Sequence, residues 1–379
     1  MAVFHRTGLA QQLAAKLLNP PIISASPSGL FLAAPRRTGK STFVREDLRP
    51  QLESLGAMVI YVDLWEDRTA DPGGVIVAAI RSALAAREGV VARLARSSGM
   101  EKASIGGLSF SVDRVGLGQG VSLTAALAAL SDETGKLIVL IIDEAQHAIT
   151  SQARSDALFA LKAARDELNS SAHHGLRIVA TGSNRDKLAM LRNTKDQAFF
   201  GAPLISFPTL GQDYVEWFVS HLSFAGELDP AAVYAWFARA AYRPEVLGAA
   251  VDALLYELEP APQGHAARLE TLVAEQIEAS NQGALQVVHG LTPLQSAVLR
   301  VLARAGQEYA PFEAATMRRY AEVLKRIDPD AKVVPDANNV NQALMALQDK
   351  ALVWKAARGV YALEDTFLAD LMRQAGLLD

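Results

Sequence analysis

The stretch GLFLAAPRRTGKSTFVRED, residues 29–47, joins an apolar run to a short loop and then to a helical segment. Its centre, APRRTGKST (34–42), follows the pattern G-x-x-x-x-G-K-[ST] at every position but the first, where alanine replaces glycine. Such a loop works because consecutive backbone N–H groups at a helix start point at anionic oxygens, while a lysine bridges the outer phosphates and a hydroxyl binds magnesium. The pattern assigns an ATP-binding cradle to Ala34, Pro35, Arg36, Arg37, Thr38, Gly39, Lys40, Ser41 and Thr42, with Lys40 on the phosphates and Ser41 on Mg2+. The first position chiefly needs a small side chain for the turn leaving the strand, so Ala34 is expected to preserve binding. Arg36 and Arg37 lie inside the loop, open to solvent or to an acidic partner.

Hydrolysis needs more than a cradle. One carboxylate must hold the hydrated magnesium and a second must orient or deprotonate the attacking water, both at the exit of a neighbouring buried strand. LIVLIIDEAQ (137–146) supplies both: Asp143 ends the apolar run as a magnesium residue, and Glu144 is the candidate catalytic base. A further run, LRIVATGSN (176–184), ends in Thr181, Ser183 and Asn184, and either Ser183 or Asn184 is expected to sense the γ-phosphate. Asp63 ends another strand at the same edge, with either a minor phosphate role or a structural hydrogen bond. Positive charge for the transition state has two candidates: Arg192 across a subunit boundary, and Arg243, in YRPEVL, in cis.

Composition narrows the class. The chain has 379 residues, 50% hydrophobic and 21% charged, a balance that predicts a soluble globular protein of two or three domains. Zero cysteines exclude disulfides and thiolate metal sites, and the adjacent His173 and His174 sit in a polar loop. No uninterrupted apolar run reaches the length of a membrane span, and the N-terminus lacks a secretory layout, so a cytoplasmic location without membrane contact is expected.

Between residues 29 and 210 five apolar runs alternate with helical stretches: 29–34, 57–64, 136–143, 176–182 and 203–208. This predicts an α/β fold with a parallel sheet, each strand buried. A glycine-rich segment, about 104–122, reads as an inserted β-hairpin. Alanine-rich helices dominate from 211 to 288, and the boundary near HGLTP (289–293) has Pro293 suited to a first helical turn. The division is therefore 1–210 for a P-loop ATPase core, 211–288 for a helical lid and 289–379 for three helices and a two-stranded element with Gly359 at its turn, the outline of a winged helix.

Taken together, APRRTGKST, LIVLIIDEAQ, VATGSN and YRPEVL resemble the AAA+-like P-loop ATPases, and within them the archaeal-type ATPase group that ends in a winged helix. The resemblance covers nearly the whole chain. It implies the sheet order 5-1-4-3-2, a helical lid after residue 210, and a C-terminal domain that often touches DNA. It also implies that FHRTGLAQQLAAKLL (4–18) contacts the adenine, with His5 and Arg6 near the base.

In a winged helix the third helix enters the major groove, here ANNVNQALMALQDK (337–350), with Asn338, Asn339, Asn341 and Gln342 facing base edges. Residues 291–379 hold eleven basic and eleven acidic residues, so any duplex DNA contact rests on local clusters: Arg318, Arg319, Lys325 and Arg326, with Lys355 and Arg358 at the wing. A protein partner is the alternative occupant, and oligomerisation is open. Two functions follow: an ATPase acting on DNA or in a DNA-associated complex, or a slow or non-hydrolysing nucleotide switch that recruits a protein.

Overall fold

The computed structural model describes residues 2–21, 23, 25–67, 70–87, 121–149, 152–170, 173–193, 197–258, 264–357, 359–365 and 367–378. Most of the expected hairpin, residues 104–120, lies outside the described residues, as does Arg358. The chain forms two compact units, Met1–Trp217 and Phe218–Asp379. Among the described residues no helix is long and apolar enough to cross a membrane.

Five parallel strands make the sheet of the first unit: β1 (Leu30–Ala33), β2 (Met58–Asp63), β3 (Ile138–Asp143), β4 (Leu176–Gly182) and β5 (Leu204–Ser206). Their spatial order is β2-β3-β4-β1-β5, the order 5-1-4-3-2 read from the other edge. The central strands are continuous aliphatic runs because helices cover both faces: every residue of β1 and β3 is buried. Contrary to the expectation of five buried strands, β2 alternates buried with half-buried residues and β5 is mostly exposed. Both are edge strands with one flank open, so their apolar residues are only partly covered.

Strand periodicity sorts the core into two layers. Leu30, Leu32, Val139, Ile141 and Val179 pack on α1 (Thr7–Leu18) and on α2, a helical run over 40–54. The alternate residues Phe31, Leu140, Ile142 and Ile178 pack on α3 (Pro72–Ala85), α4 (Leu123–Thr134) and α5 (Gln152–Ser170). Helix starts follow local chemistry: Asp71 accepts from the Gly74 N–H at 2.9 Å ahead of Pro72, and Ser122 accepts from the Ala125 N–H at 3.1 Å. Within α2 the chain widens into a π turn, Val44–Leu48, just before Arg49–Ser54 with its proline in the first turn. Pro50 has no N–H to give the carbonyl one turn back, and the ladder relaxes there. Beyond β4 come the short α6 (Arg185–Ala189) and α7 (Gln212–Ser220).

The second unit begins with helices α8 (Pro230–Arg239), α9 (Pro244–Leu255) and the long α10 (Gly264–His289). Three more follow, α11 (Pro293–Ala305), α12 (Ala314–Ile327) and α13 (Ala337–Asp349), then an antiparallel pair, β6 (Val353–Ala357) and β7 (Val360–Leu363), and α14 (Phe367–Gln374). Thr292 and Gln295 close a capping box around Pro293, and Asp336 caps α13 with Asn339 answering it. Val298, Leu302, Tyr320, Leu344 and Met372 fill the core beneath these elements.

Candidate functional site

Sheet register decides which side chains can meet. Asp63 at the end of β2 pairs with Asp143 at the end of β3, and Ala33 at the end of β1 pairs with Gly182 at the end of β4. The loop after β1 and the carboxylates Asp143 and Glu144 at the end of β3 are thus separated by one strand, β4, which carries Thr181 near its end with Ser183 just past it. The loop is anchored at its root, where the Ala34 N–H donates to the Gly182 carbonyl at 3.1 Å.

Ala34 itself is buried, and its backbone is outside the left-handed region that would call for glycine. The missing glycine therefore carries no backbone penalty. Ala34→Gly is expected to cost about 0.5–1 kcal/mol of stability through added chain freedom and to leave ATP affinity within about threefold, read by titration calorimetry. Strain lies further along the loop, where Arg37 has φ 63° and Gly39 has φ 79°. Gly39 opens the helix, its carbonyl accepting from the Phe43 N–H at 2.9 Å. The Thr38 hydroxyl donates to the Pro35 carbonyl at 2.8 Å and braces the turn. Arg36 is exposed, its guanidinium 4.8 Å over the ring of Trp65, which in turn lies 4.7 Å from His147.

Lys40 turns inward and is 5% exposed. Its Nζ donates to Glu144 Oε1 at 2.7 Å and stands 3.9 Å from Asp143 Oδ1. Asp143 is fully buried; its carboxylate accepts from the Thr181 hydroxyl, from the Tyr61 hydroxyl at 3.0 Å and from the Glu144 N–H at 3.1 Å. Burial pushes this carboxyl up, but the Lys40 charge and hydrogen bonds from Thr181, Ser41 and Tyr61 outweigh it and hold it below the ordinary carboxylate range. Tyr61 is oriented in turn by Arg45, whose Nε donates to its hydroxyl at 2.9 Å while the same guanidinium holds Asp63 at 2.7 Å.

Glu144 sits at φ 54°, a left-handed conformation that costs a non-glycine residue about 1–3 kcal/mol and clusters at functional sites. Both of its carboxylate oxygens are engaged. Oε1 takes Lys40, and Oε2 accepts from the Ser183 hydroxyl at 2.9 Å and from the Gln146 amide. Burial again acts upward and is outweighed, here by the Lys40 charge and by hydrogen bonds from Lys40, Gln146 and Ser183, so Glu144 is a carboxylate at neutral pH.

Of the two residues expected to face the γ-phosphate, only Ser183 joins this cluster. The Asn184 side chain accepts from the Lys187 N–H at 3.0 Å as the cap of α6. Asp63 binds Arg45 and the Trp65 N–H, which is a structural role. Arg192 follows α6, with a terminal guanidinium nitrogen 3.3 Å from Asn193. Arg243 belongs to the second unit, where it donates to the Ala240 carbonyl at 3.0 Å and to Ser280 at 3.1 Å.

At the other end of the loop, His5 Nδ1 lies 2.7 Å from the buried Asp47 in the π turn, and the Arg6 N–H donates to the same carboxylate at 3.0 Å. The Arg6 guanidinium donates to the carbonyls of Pro208 and Thr209 and stacks 4.8 Å from the Phe207 ring. Phe4, on the same segment, packs 5.5 Å from Tyr214. The segment is thereby bound to the helix that the loop starts. Sequence reasoning missed Tyr61, Arg45 and Gln146; only Gln146, two residues beyond Glu144, stood close enough to the motif to be found.

These features define a class. The chain has a P-loop-type parallel α/β fold, with the loop APRRTGKST after β1 and the acidic pair Asp143 and Glu144 at the end of β3. Among solved structures it is similar to the Walker-type ATPase of Pyrococcus abyssi, with 16% identity, 98% of this chain and 96% of that one covered and a TM-score of 0.52. It is also similar to the ORC2 protein of Aeropyrum pernix in its ADP form, with 15% identity, coverage of 100% and 96% and a TM-score of 0.53. The ADPNP-ADP complexes of that ORC2 protein give 18% identity, the same coverage and a TM-score of 0.50. No protein-family profile and no curated protein sequence matches the chain.

Proposed function

We propose that this chain binds ATP with magnesium and hydrolyses it, and that nucleotide state governs its C-terminal unit. The observation that carries this is the convergence of Lys40, Asp143, Glu144 and Ser183 on one buried point beside the loop, with Lys40 2.7 Å from Glu144. The residues fit the ligand: an inward lysine for the outer phosphates, Ser41 and the buried Asp143 for the metal, and loop amides at a helix start. Magnesium bound there would neutralise charge on the phosphates. Glu144 would accept the proton of the attacking water, and Ser183 would report the γ-phosphate to it. Arg243 and Arg192 keep their sequence-level roles as the cationic candidates, and His5 and Arg6 theirs beside the base.

A specific observation favours slow turnover in the isolated protein. Glu144 holds Lys40, the cation expected on the outer phosphates, at 2.7 Å, so that contact has to be exchanged before both groups act on ATP. This supports the second reading, a nucleotide switch, as the resting behaviour.

For the C-terminal part we propose a division at residue 289 into a helical lid and a winged helix, acting on duplex DNA in the cytoplasm. Helices α11–α13 followed by the β6–β7 pair support it, with Gly359 in the turn. Asn338 and Asn341 are exposed on α13, whereas Asn339 is committed to the cap. Arg318, Arg319, Lys325 and Arg326 are exposed on α12, and Lys355 lies 5.8 Å over the Tyr361 ring on β6. If the four α12 cations each meet a phosphate, duplex affinity is expected to fall about 100-fold between 50 and 200 mM salt, measured by anisotropy. ATP turnover measured with and without duplex DNA separates the two functions: stimulation supports the DNA-coupled ATPase, and tight ATP binding without turnover supports the switch.

A further inference from the structure

Gln146 has a geometry that core packing does not account for. It is 3% exposed, yet its Oε1 has no hydrogen-bond partner. An apolar side chain of the same size would fill the space without leaving a buried acceptor unsatisfied. What the amide gains is on its other side, where Nε2 donates to Glu144 Oε2 and stands 3.0 Å from the Ser183 hydroxyl, itself 2.9 Å from the same carboxylate oxygen. The three side chains close a triangle.

Space for the amide comes from Gly182. A Cβ on that residue would stand 2.5 Å from Gln146 Oε1 and 3.2 Å from Leu188. Gly182 has no left-handed backbone to justify it. The glycine is there for close approach, and the group it admits is the Gln146 amide.

We infer that Gln146 is a positioning residue for ATP hydrolysis: seated against Gly182, it holds the Glu144 carboxylate and the Ser183 hydroxyl as one unit. The inference rests on the ATPase reading above. Gln146 does not touch the substrate; it acts through Glu144. Glu144 needs such a tie because its backbone is left-handed and the chain runs on from it into a short 3-10 turn, Ala145–Ile149, rather than a long helix.

The test compares wild type with Gln146→Met, which keeps volume without the amide, and with Gly182→Ala, Gln146→Ala and the Gln146→Ala/Gly182→Ala pair. ATP affinity by calorimetry, and kcat and KM by phosphate release, are measured for each. Gln146→Met is expected to lower kcat about tenfold and to leave ATP affinity within about twofold, a split that loss of packing alone would not produce. Gly182→Ala should act in the same direction by displacing the amide, and should add nothing once Gln146 is alanine. Retained ATP affinity establishes that each variant is folded. Unchanged kcat in Gln146→Met, or full additivity in the pair, would overturn the inference alone. A wild type that binds ATP and releases no phosphate would overturn the hydrolysis reading and this inference with it.

Discussion

Lys40→Ala is expected to weaken ATP binding by roughly 30- to 5,000-fold, the range that corresponds to losing about 2–5 kcal/mol of a buried charged contact. Lys40 is 5% exposed and lies between two carboxylates, so its charge is already desolvated and aimed at the place where phosphates would lie. Phosphate oxygens then replace carboxylate oxygens at little further desolvation cost. Alanine removes the cation and leaves Asp143 and Glu144 facing each other without it, a like-charge pair that also repels the ligand. Titration calorimetry reads the loss directly. A variant that bound ATP as wild type does would place the phosphates elsewhere.

Glu144→Gln is expected to separate binding from chemistry. The amide keeps the shape of the carboxylate and can still meet Ser183, so ATP affinity should stay within about threefold, while turnover falls about 10²- to 10⁴-fold as a general base is lost. A pH signature accompanies it. Glu144 is held below the ordinary carboxylate range, so in wild type kcat/KM should persist at pH values where an unperturbed glutamate is protonated, and decline only as pH falls through the depressed value. The Gln variant should lack that limb. Equal turnover in both would assign water activation to another group.

How much of this was legible in the sequence depends on where each contact comes from. β1, β3 and β4 announced themselves because a strand buried on both faces must be aliphatic throughout. β2 and β5 read the same way but are edges, and edge position depends on strand order, which no local pattern encodes. Lys40, Ser41, Asp143 and Glu144 were visible because short motifs fix them relative to their own strands. Tyr61 was not: it meets Asp143 across 82 residues of chain, through the register that pairs Asp63 with Asp143. Ser183 and Asn184 were inseparable in the sequence, since adjacent polar residues at a strand end suit a ligand or a helix cap alike. Chain direction divided them, sending Ser183 to Glu144 and Asn184 to the α6 N-terminus.

On the proposed function, one constellation beside the loop both holds ATP and hydrolyses it. The most direct test is single-turnover phosphate release from magnesium-ATP by wild type, beside Glu144→Gln at the same ATP occupancy. Release by wild type that is lost in Glu144→Gln while ATP stays bound is the predicted result; release at the same rate from both proteins would contradict the account.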